Sequence, residues 1–303
     1  GAALNLERIF MDIYRFTQCM ILLITSHCTL ADVPITEPKP IVPHNLVMGL
    51  KHQSYDFASI EKTDAELAMD YTLVKVPLGK LEFGKSFFIP TLSLEKTAFR
   101  FDHTDVDNQE VYTLKTQFMV VTPRDDKWTR IIQVTPSLHT DLDAVDEDAF
   151  SLMGLAMWRY QLTDASALTM GIGVNRLFGD YKPIPLVSYQ YNIGKSIQLD
   201  LGFPITKAEY RWRDDWSVYA SAAPVGGNWR YESEQEEKLN ISYSSWIAAT
   251  GVRYQFSRNM WATLEVGQSL SRKLNLDADN RNDEDLDVAN APVVMLSFGL
   301  RRQ

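Results

Sequence analysis

The chain has 303 residues, 45% of them hydrophobic and 23% charged, and its formal net charge at pH 7 is −9. This length allows one large β domain or two ordinary domains, and the composition is too polar for a bundle of membrane-spanning helices. The acidic balance argues against nucleic acid as a partner, because the chain would repel phosphate backbones and offers no basic stripe or stacking platform.

Residues 1–31 are predicted to be an upstream extension followed by a cleavable secretory signal. After Met11 the chain shows one basic residue, Arg15, and then an apolar centre at 20–24. Thr29 and Ala31 supply the small side chains that a signal peptidase reads. The apolar stretch is too short to cross a bilayer as a helix, so we expect the mature chain to begin directly after Ala31.

Both cysteines, Cys19 and Cys28, lie inside this predicted signal, so the mature chain would contain none. Disulfides, cysteine nucleophiles and thiolate metal sites are thereby excluded from the mature protein. A lipoprotein anchored at Cys28 is the alternative, but the preceding residues 25–27 match the usual lipidation box poorly. We expect no cofactor and no metal.

The rest of the chain is divided into a lead and a barrel. Residues 32–43 are rich in proline and are predicted to be an extended periplasmic lead, and residues 44–303 are predicted to form the barrel. From about His44 onward hydrophobic residues recur with a period of two, as they do in strands. Leu67, Met69 and Tyr71, for example, alternate with small or polar residues.

About fourteen segments have the length and alternation of tilted strands that cross a membrane. The ninth and tenth, at 196–203 and 205–212, are the weakest because Pro204 lies between two short runs. Twelve strands remain if this hairpin leaves the wall. The predicted fold is therefore all-β, a transmembrane antiparallel up-and-down β-barrel of about fourteen strands, with twelve as the alternative.

The connections alternate in length and charge, which is typical of outer-membrane barrels. Short turns such as 124–127 and 257–259 are predicted to be periplasmic, and longer acidic loops such as 139–148 and 272–290 to be extracellular. Asp277, Asp279 and Asp283 in the last loop do not follow calcium-loop spacing, so a solvated loop is favoured over a calcium site.

Aromatic residues gather beside the short turns, which places them at one membrane–water boundary. A soluble sandwich has no reason to collect tryptophan beside one class of turn. Strict alternation turns Trp261 inward, so it is an imperfect member of the set. The predicted interface residues are Trp128, Trp158, Tyr160, Trp212, Trp216, Tyr254, Phe256 and Trp261.

Alternation also predicts a network of charged side chains in the lumen. Its acids are Glu66, Asp70, Glu95, Asp200, Glu209 and Glu265, and its bases are Lys115, Arg159, Lys207, Arg211 and Arg253. Nearly balanced charges favour a narrow barrel that pairs them to fill its centre over a wide ion-selective porin. A field across the lumen that steers a zwitterionic solute is the alternative.

Four short segments together resemble a bacterial outer-membrane barrel family of unknown function. They are Gly202-Phe203-Pro204, Ala208-Glu209-Tyr210-Arg211, Asp215-Trp216-Ser217-Val218-Tyr219 and Gly226-Gly227-Asn228-Trp229-Arg230-Tyr231. The resemblance implies a barrel and no catalytic residues.

These observations predict a non-enzymatic outer-membrane protein of the Gram-negative type, either a narrow pore or a structural barrel. Its expected partners are outer-membrane lipid, lipopolysaccharide and, during biogenesis, the barrel-assembly machinery. One alternative is a lateral-opening uptake channel for small hydrophobic molecules. Another is a lipid hydrolase centred on Ser137 and His139, which share one strand face but would need an orienting third group.

Overall fold

The computed structural model describes residues 46–104, 106–178, 180–233, 238–277 and 286–302. The chain divides into two compact units, residues 1–36 and 37–303, and every described residue belongs to the second. The predicted signal and lead therefore lie outside the described residues, as do Asp279 and Asp283. Within these ranges, no helix is long and apolar enough to cross a membrane.

Sixteen strands and one short 3₁₀ helix, Glu147–Ala149, are present in the described part of the chain. The strands are β1 (Leu46–Ser59), β2 (Glu66–Pro77), β3 (Leu81–Phe83), β4 (Ser86–Asp102), β5 (Gln109–Pro123), β6 (Trp128–Thr140), β7 (Phe150–Thr163), β8 (Ser166–Phe178), β9 (Asp180–Ile193), β10 (Ile197–Phe203), β11 (Thr206–Arg211), β12 (Trp216–Glu232), β13 (Lys238–Ser257), β14 (Met260–Asp277), β15 (Leu286–Val288) and β16 (Ala291–Arg302).

Fourteen of these strands form a closed antiparallel wall, while the three-residue strands β3 and β15 are added beside β4 and β14. Neighbours in the wall are neighbours in sequence, and β16 closes the ring by pairing with both β1 and β14. Closure gives backbone amides their partners inside the sheet, as a lipid environment requires. The predicted fold is confirmed. The twelve-strand alternative is wrong, because β10 and β11 both belong to the wall.

The outer surface of the wall is apolar. Large hydrophobic side chains are exposed on almost every wall strand, including Leu94, Leu152, Leu201, Leu264 and Leu296. A continuous apolar surface of this extent is incompatible with a monomer in water and is that of a barrel facing lipid. Alternation has thus placed one set of side chains toward lipid and left the other for the interior.

We call the end of the barrel away from the short turns the upper end. The upper half of β12 leaves the wall and crosses the interior. Its pairing with β11 ends at Ala222, and the next contact on that edge is a parallel bridge from Arg230 to Thr140 on β6, on the far side of the ring. The crossing begins at Pro224, and Gly226 has a φ of 150°, which side-chain-bearing residues rarely adopt. A Cβ at Gly226 would also collide with the carbonyl oxygen of Tyr243.

The crossing strand, together with β13, fills the upper interior with a packed core. Trp229 is 5% exposed, its indole N–H donates to the Thr113 hydroxyl at 2.8 Å, and its ring lies edge-on to Phe99 at 5.6 Å. Arg230 Nε donates to Asp146 at 3.2 Å. Burial alone would raise the pKa of Asp146, but the hydrogen bond and charge of Arg230 lower it below its ordinary value. The end of the lumen away from the short turns is therefore occupied by protein.

Substituting neighbouring residues on β6 tests the two faces of the wall. Ile132 is 40% exposed on the outer face, while Gln133 points inward and donates to Thr135. An arginine facing lipid near the midplane costs about 2–4 kcal/mol, whereas a charge in a hydrated interior is tolerated. We expect Ile132→Arg to destabilise the refolded barrel by about that amount in urea titrations. Gln133→Arg should unfold at nearly the same urea concentration as the wild type. Equal loss in both variants would contradict this assignment of faces.

Shortening the β12–β13 hairpin tests whether it closes the axial route. Gly226 and Ser244 are paired, so residues 227–243 can be replaced by an Asn-Gly turn while the lower strands stay in register. We expect the full chain to give no porin-sized conductance in planar bilayers and the shortened chain to conduct ions. Heat-modifiable gel mobility checks that the shortened chain is folded. Porin-sized conductance of the full chain would show that the packed core does not seal the barrel.

Candidate functional site

The wall has a gap above the short β10–β11 hairpin. The last pair between β9 and β10 is Val187 with Phe203, and the first between β11 and β12 is Thr206 with Ala222. Above these rows, the described residues of β9 and β12 have no strand partner on the edges that face the gap, apart from the bridge to β6. The hairpin ends early because Pro204 cannot donate a backbone hydrogen bond.

A cavity of about 480 Å³ lies behind this gap. Its lining is mainly apolar and comes from the inner faces of β7–β9, the β10–β11 turn and the outer face of the crossing hairpin. These residues include Leu155, Met157, Ile184, Leu186, Phe203, Pro204, Ile205, Pro224 and Trp246. Three of the lining residues are exposed on the outer surface: Val187 (51%), Phe203 (47%) and Ile205 (58%). The mouth of the cavity therefore opens sideways through the wall. We call this cavity the lateral cleft.

The lateral cleft lies at the height of the apolar band. Pro224, at the cleft, follows Trp216, beside a short turn, by eight residues along β12. Eight residues of a strand tilted by about 40° rise about 20 Å, which is within an apolar band about 25 Å tall. The mouth therefore faces lipid rather than water.

The floor of the lateral cleft is charged. Asp200 and Lys207, a register pair of β10 and β11, line its lower end. Directly below, Glu209 accepts hydrogen bonds from Lys207 at 2.6 Å, Ser217 at 2.7 Å and Arg253 at 3.1 Å. This ion cluster separates the apolar cleft from the lower lumen.

The structure brings several other predicted lumen charges together on the inner face. Lys115 contacts Glu95 at 2.7 Å beside a second cavity of about 260 Å³, and the charge of Asp200 acts on Arg159. Glu265 is on the inner face of β14 and is 8% exposed. The remaining predicted lumen base, Arg211, lines a small pocket near the turn at 194–196.

Two predicted lumen acids, Glu66 and Asp70, are on the outer face instead. Asp70 accepts from Ser54 at 2.7 Å and pairs with Arg100 at 2.9 Å, while its neighbours on β2 line the interior cavity. The apolar side chains of β2 point inward because they pack against the crossing hairpin, which sequence alternation does not reveal. Two inner-facing bases were not predicted, Lys51 on β1 and Lys75 on β2, and their charges face Glu265 and Glu95.

The predicted interface aromatics form contacting rows of rings. Trp128 lies 4.7 Å from Tyr160, Trp216 lies 5.9 Å from Trp212 and 4.6 Å from Tyr254, and Tyr254 lies 6.3 Å from Phe256. Trp158 is 40% exposed. The exception is Trp261, which lies on the inner face of β14, opposite Gly299 and below the guanidinium of Arg301. Glycine at 299 leaves the space that this indole occupies.

Ser137 and His139 do meet. His139 Nε2 lies 2.9 Å from the Ser137 hydroxyl and 3.0 Å from the Ser151 hydroxyl, and Nδ1 lies 3.1 Å from the Thr113 hydroxyl. A serine hydrolase places a carboxylate at Nδ1 to orient the ring. Here a hydroxyl lies at Nδ1, and Trp229 donates to that same hydroxyl. The network thus fastens the crossing hairpin to β5, β6 and β7.

Comparisons with known proteins give a family and several structures. A family model described as Domain of unknown function (DUF6268) matches residues 93–284, which include the segments that carried the resemblance. No curated protein matches. Among solved structures, the chain is similar to an outer-membrane channel from Pseudomonas putida F1, with 10% identity and a TM-score of 0.47, covering 90% of this chain and 100% of that one.

Two further solved structures are similar. The P. putida toluene transporter TodX has 9% identity and a TM-score of 0.42, with 89% of this chain and 93% of that chain covered. The KdgM porin has 9% identity and a TM-score of 0.38, with 85% of this chain and 100% of that chain covered.

Removing the centre of the ion cluster tests its contribution to stability. Glu209→Gln leaves Lys207 and Arg253 without their shared carboxylate. Breaking a fully buried pair costs about 3–5 kcal/mol, and because both bases are partly exposed we expect about 1–3 kcal/mol in urea unfolding. Glu110→Gln, which breaks the exposed Lys96 pair, is the control and should cost clearly less. Equal effects would mean that the cluster is as hydrated as the outer surface.

Proposed function

The chain belongs to the family described as Domain of unknown function (DUF6268), and we propose that it is a non-enzymatic outer-membrane barrel that takes up small hydrophobic molecules sideways through its wall. Outer-membrane lipid and lipopolysaccharide would surround it, and the barrel-assembly machinery would insert it. The observation that carries this proposal is the lateral cleft, an apolar cavity whose mouth lies in the lipid-facing surface.

The chemistry of the lateral cleft suits an apolar solute. A hydrophobic molecule dissolves in lipid, so a mouth at the height of the apolar band gives it access without exposure to water. Burying apolar surface contributes about 25 cal/mol per Å², so a ligand that covers 200 Å² of apolar area gains about 5 kcal/mol relative to water. The aliphatic and aromatic lining of the cleft supplies that surface.

The interior favours this route over a narrow aqueous pore. The packed core around Trp229 fills the extracellular end of the axial path. Below it, the inner face holds paired charges, which bind water and repel apolar solutes. A hydrophobic solute therefore has one low-cost entrance in the described barrel, the gap between β9 and β12.

Filling the lateral cleft tests the proposal with a matched pair of substitutions on adjacent strands. Met157 lines the cleft from β7, whereas Met170 on β8 is 43% exposed on the outer face. We expect Met157→Trp to slow the entry of N-phenyl-1-naphthylamine into intact cells at least about fivefold, because the indole occupies the cavity. Met170→Trp, the same chemical change, should leave the rate within about twofold of wild type.

The readout is the rise in probe fluorescence in cells that express equal amounts of folded barrel. Cells without the protein set the background rate. If neither substitution alters entry, or if Met170→Trp alters it as strongly, the cleft is not the route and the proposed function fails.

A further inference from the structure

Asp200 lies at the floor of the lateral cleft, and the nearby cation Arg159 does not hydrogen-bond to it. Asp200 lines the cleft, and its one side-chain hydrogen bond among the described residues comes from Gln198 at 3.3 Å. Arg159 does not line the cleft itself, but it follows the lining residue Met157 on the same face of β7 and is paired in register with Thr169, which also lines the cleft. Within the described residues, the Arg159 side chain makes no hydrogen bond, and its Nε is buried without a partner.

The neighbouring charged side chains do not bond to Asp200 or Arg159. Lys207 is engaged by Glu209 at 2.6 Å and lies over the Tyr219 ring at 4.3 Å. Arg253 is engaged by the same Glu209. A carboxylate offers about four acceptor positions and a guanidinium five donors, so Asp200 and Arg159 retain unused bonding capacity beside an apolar cavity.

We infer that the ligand of the lateral cleft carries one neutral hydroxyl head group, which bridges Arg159 and Asp200 while its apolar body fills the cleft. This inference rests on the proposed function and adds the substrate class, a hydrophobic alcohol or phenol. A hydroxyl is suited to the pair because it accepts a hydrogen bond from the guanidinium and donates one to the carboxylate.

The charge of the floor selects against an ionised head. The positive charge of Arg159 lies in the field of Asp200, and Lys207 and Arg253 share the carboxylate of Glu209. A carboxylate ligand would be attracted by Arg159 but would lie against Asp200, where like charges repel. A ligand with no polar group would leave both side chains with unsatisfied bonds.

Three matched probes test this inference on the purified full barrel in lipid nanodiscs: 2-naphthol, naphthalene and 2-naphthoate. Equilibrium dialysis gives the amount bound, and the filled-cleft variant Met157→Trp gives the nonspecific part to subtract. We expect 2-naphthol to bind about tenfold more tightly than naphthalene, since one charge-assisted hydrogen bond is worth about that factor. 2-Naphthoate should bind more weakly than 2-naphthol.

The variant Asp200→Asn separates recognition of the head group from the cleft itself. We expect it to reduce the preference for 2-naphthol over naphthalene, because the amide oxygen of asparagine is a weaker, uncharged acceptor, and to raise the affinity for 2-naphthoate, because the repelling charge is gone. Naphthalene binding should stay unchanged, which also shows that the variant is folded. Asp215→Asn, in the turn between β11 and β12, is the control and should alter none of the three.

The outcomes distinguish the two claims. Equal binding of 2-naphthol and naphthalene, tightest binding of 2-naphthoate, or a 2-naphthol preference that is undiminished in Asp200→Asn overturns the head-group inference and leaves the cleft standing. Failure of all three probes to bind above the Met157→Trp background overturns the proposed function as well.

Discussion

A backbone amide surrounded by lipid must find its partner within the protein, and this constraint governs the whole described barrel. All fourteen junctions between wall strands meet it by antiparallel pairing, and the ring changes at the short β10–β11 hairpin, above which β9 and β12 lose a neighbour. Above Pro204, β9 and β12 continue with no strand between them. Pro183 and Pro185 on β9 and Pro224 on β12 have no N–H to leave unpaired, so the gap has edges that tolerate the loss of a neighbour.

The same gap makes it possible for β12 and β13 to cross the interior. β12 loses its β11 neighbour after Ala222 and can then turn at Gly226, while β13 stays paired with both β12 and β14. The crossing divides the upper interior into two regions. On one side the hairpin packs with Phe99 and Tyr55 into a dry core, and on the other it forms a wall of the lateral cleft through Trp246.

Sequence alternation predicted the wall well and its contents less well. Period two, short turns and aromatic position sufficed for fourteen strands, because those signals depend only on local geometry and on lipid. Alternation does not state which face is inner, and on β2 the rule that apolar residues face lipid failed. Met69 and Tyr71 meet the crossing hairpin, while Asp70 and Arg100 pair on the outer face. That reversal comes from a tertiary contact between distant strands.

The lateral cleft left a trace in the sequence that alternation could not use. Prolines 183, 185 and 224 fall inside predicted strands, where proline indicates an exposed edge, and Pro204 falls between two of them. Two of the segments that carried the family resemblance belong to this region. Residues 202–204 form the lower edge of the gap, and residues 226–227 form the turn of the crossing strand. Those residues are therefore explained by the opening itself and need no catalytic role.

The division between an apolar cleft and a charged floor also bears on how a ligand would travel. A purely apolar molecule gains from the cleft but meets an ion cluster around Glu209 that it can enter only by displacing water without replacing its bonds. A molecule with one hydroxyl group carries a replacement for that water at its leading end. The arrangement of Arg159 and Asp200 below Leu155 and Met157 therefore matches a path that begins in lipid and ends in the hydrated lumen, and it ties the chemistry of the ligand to the position of the gap.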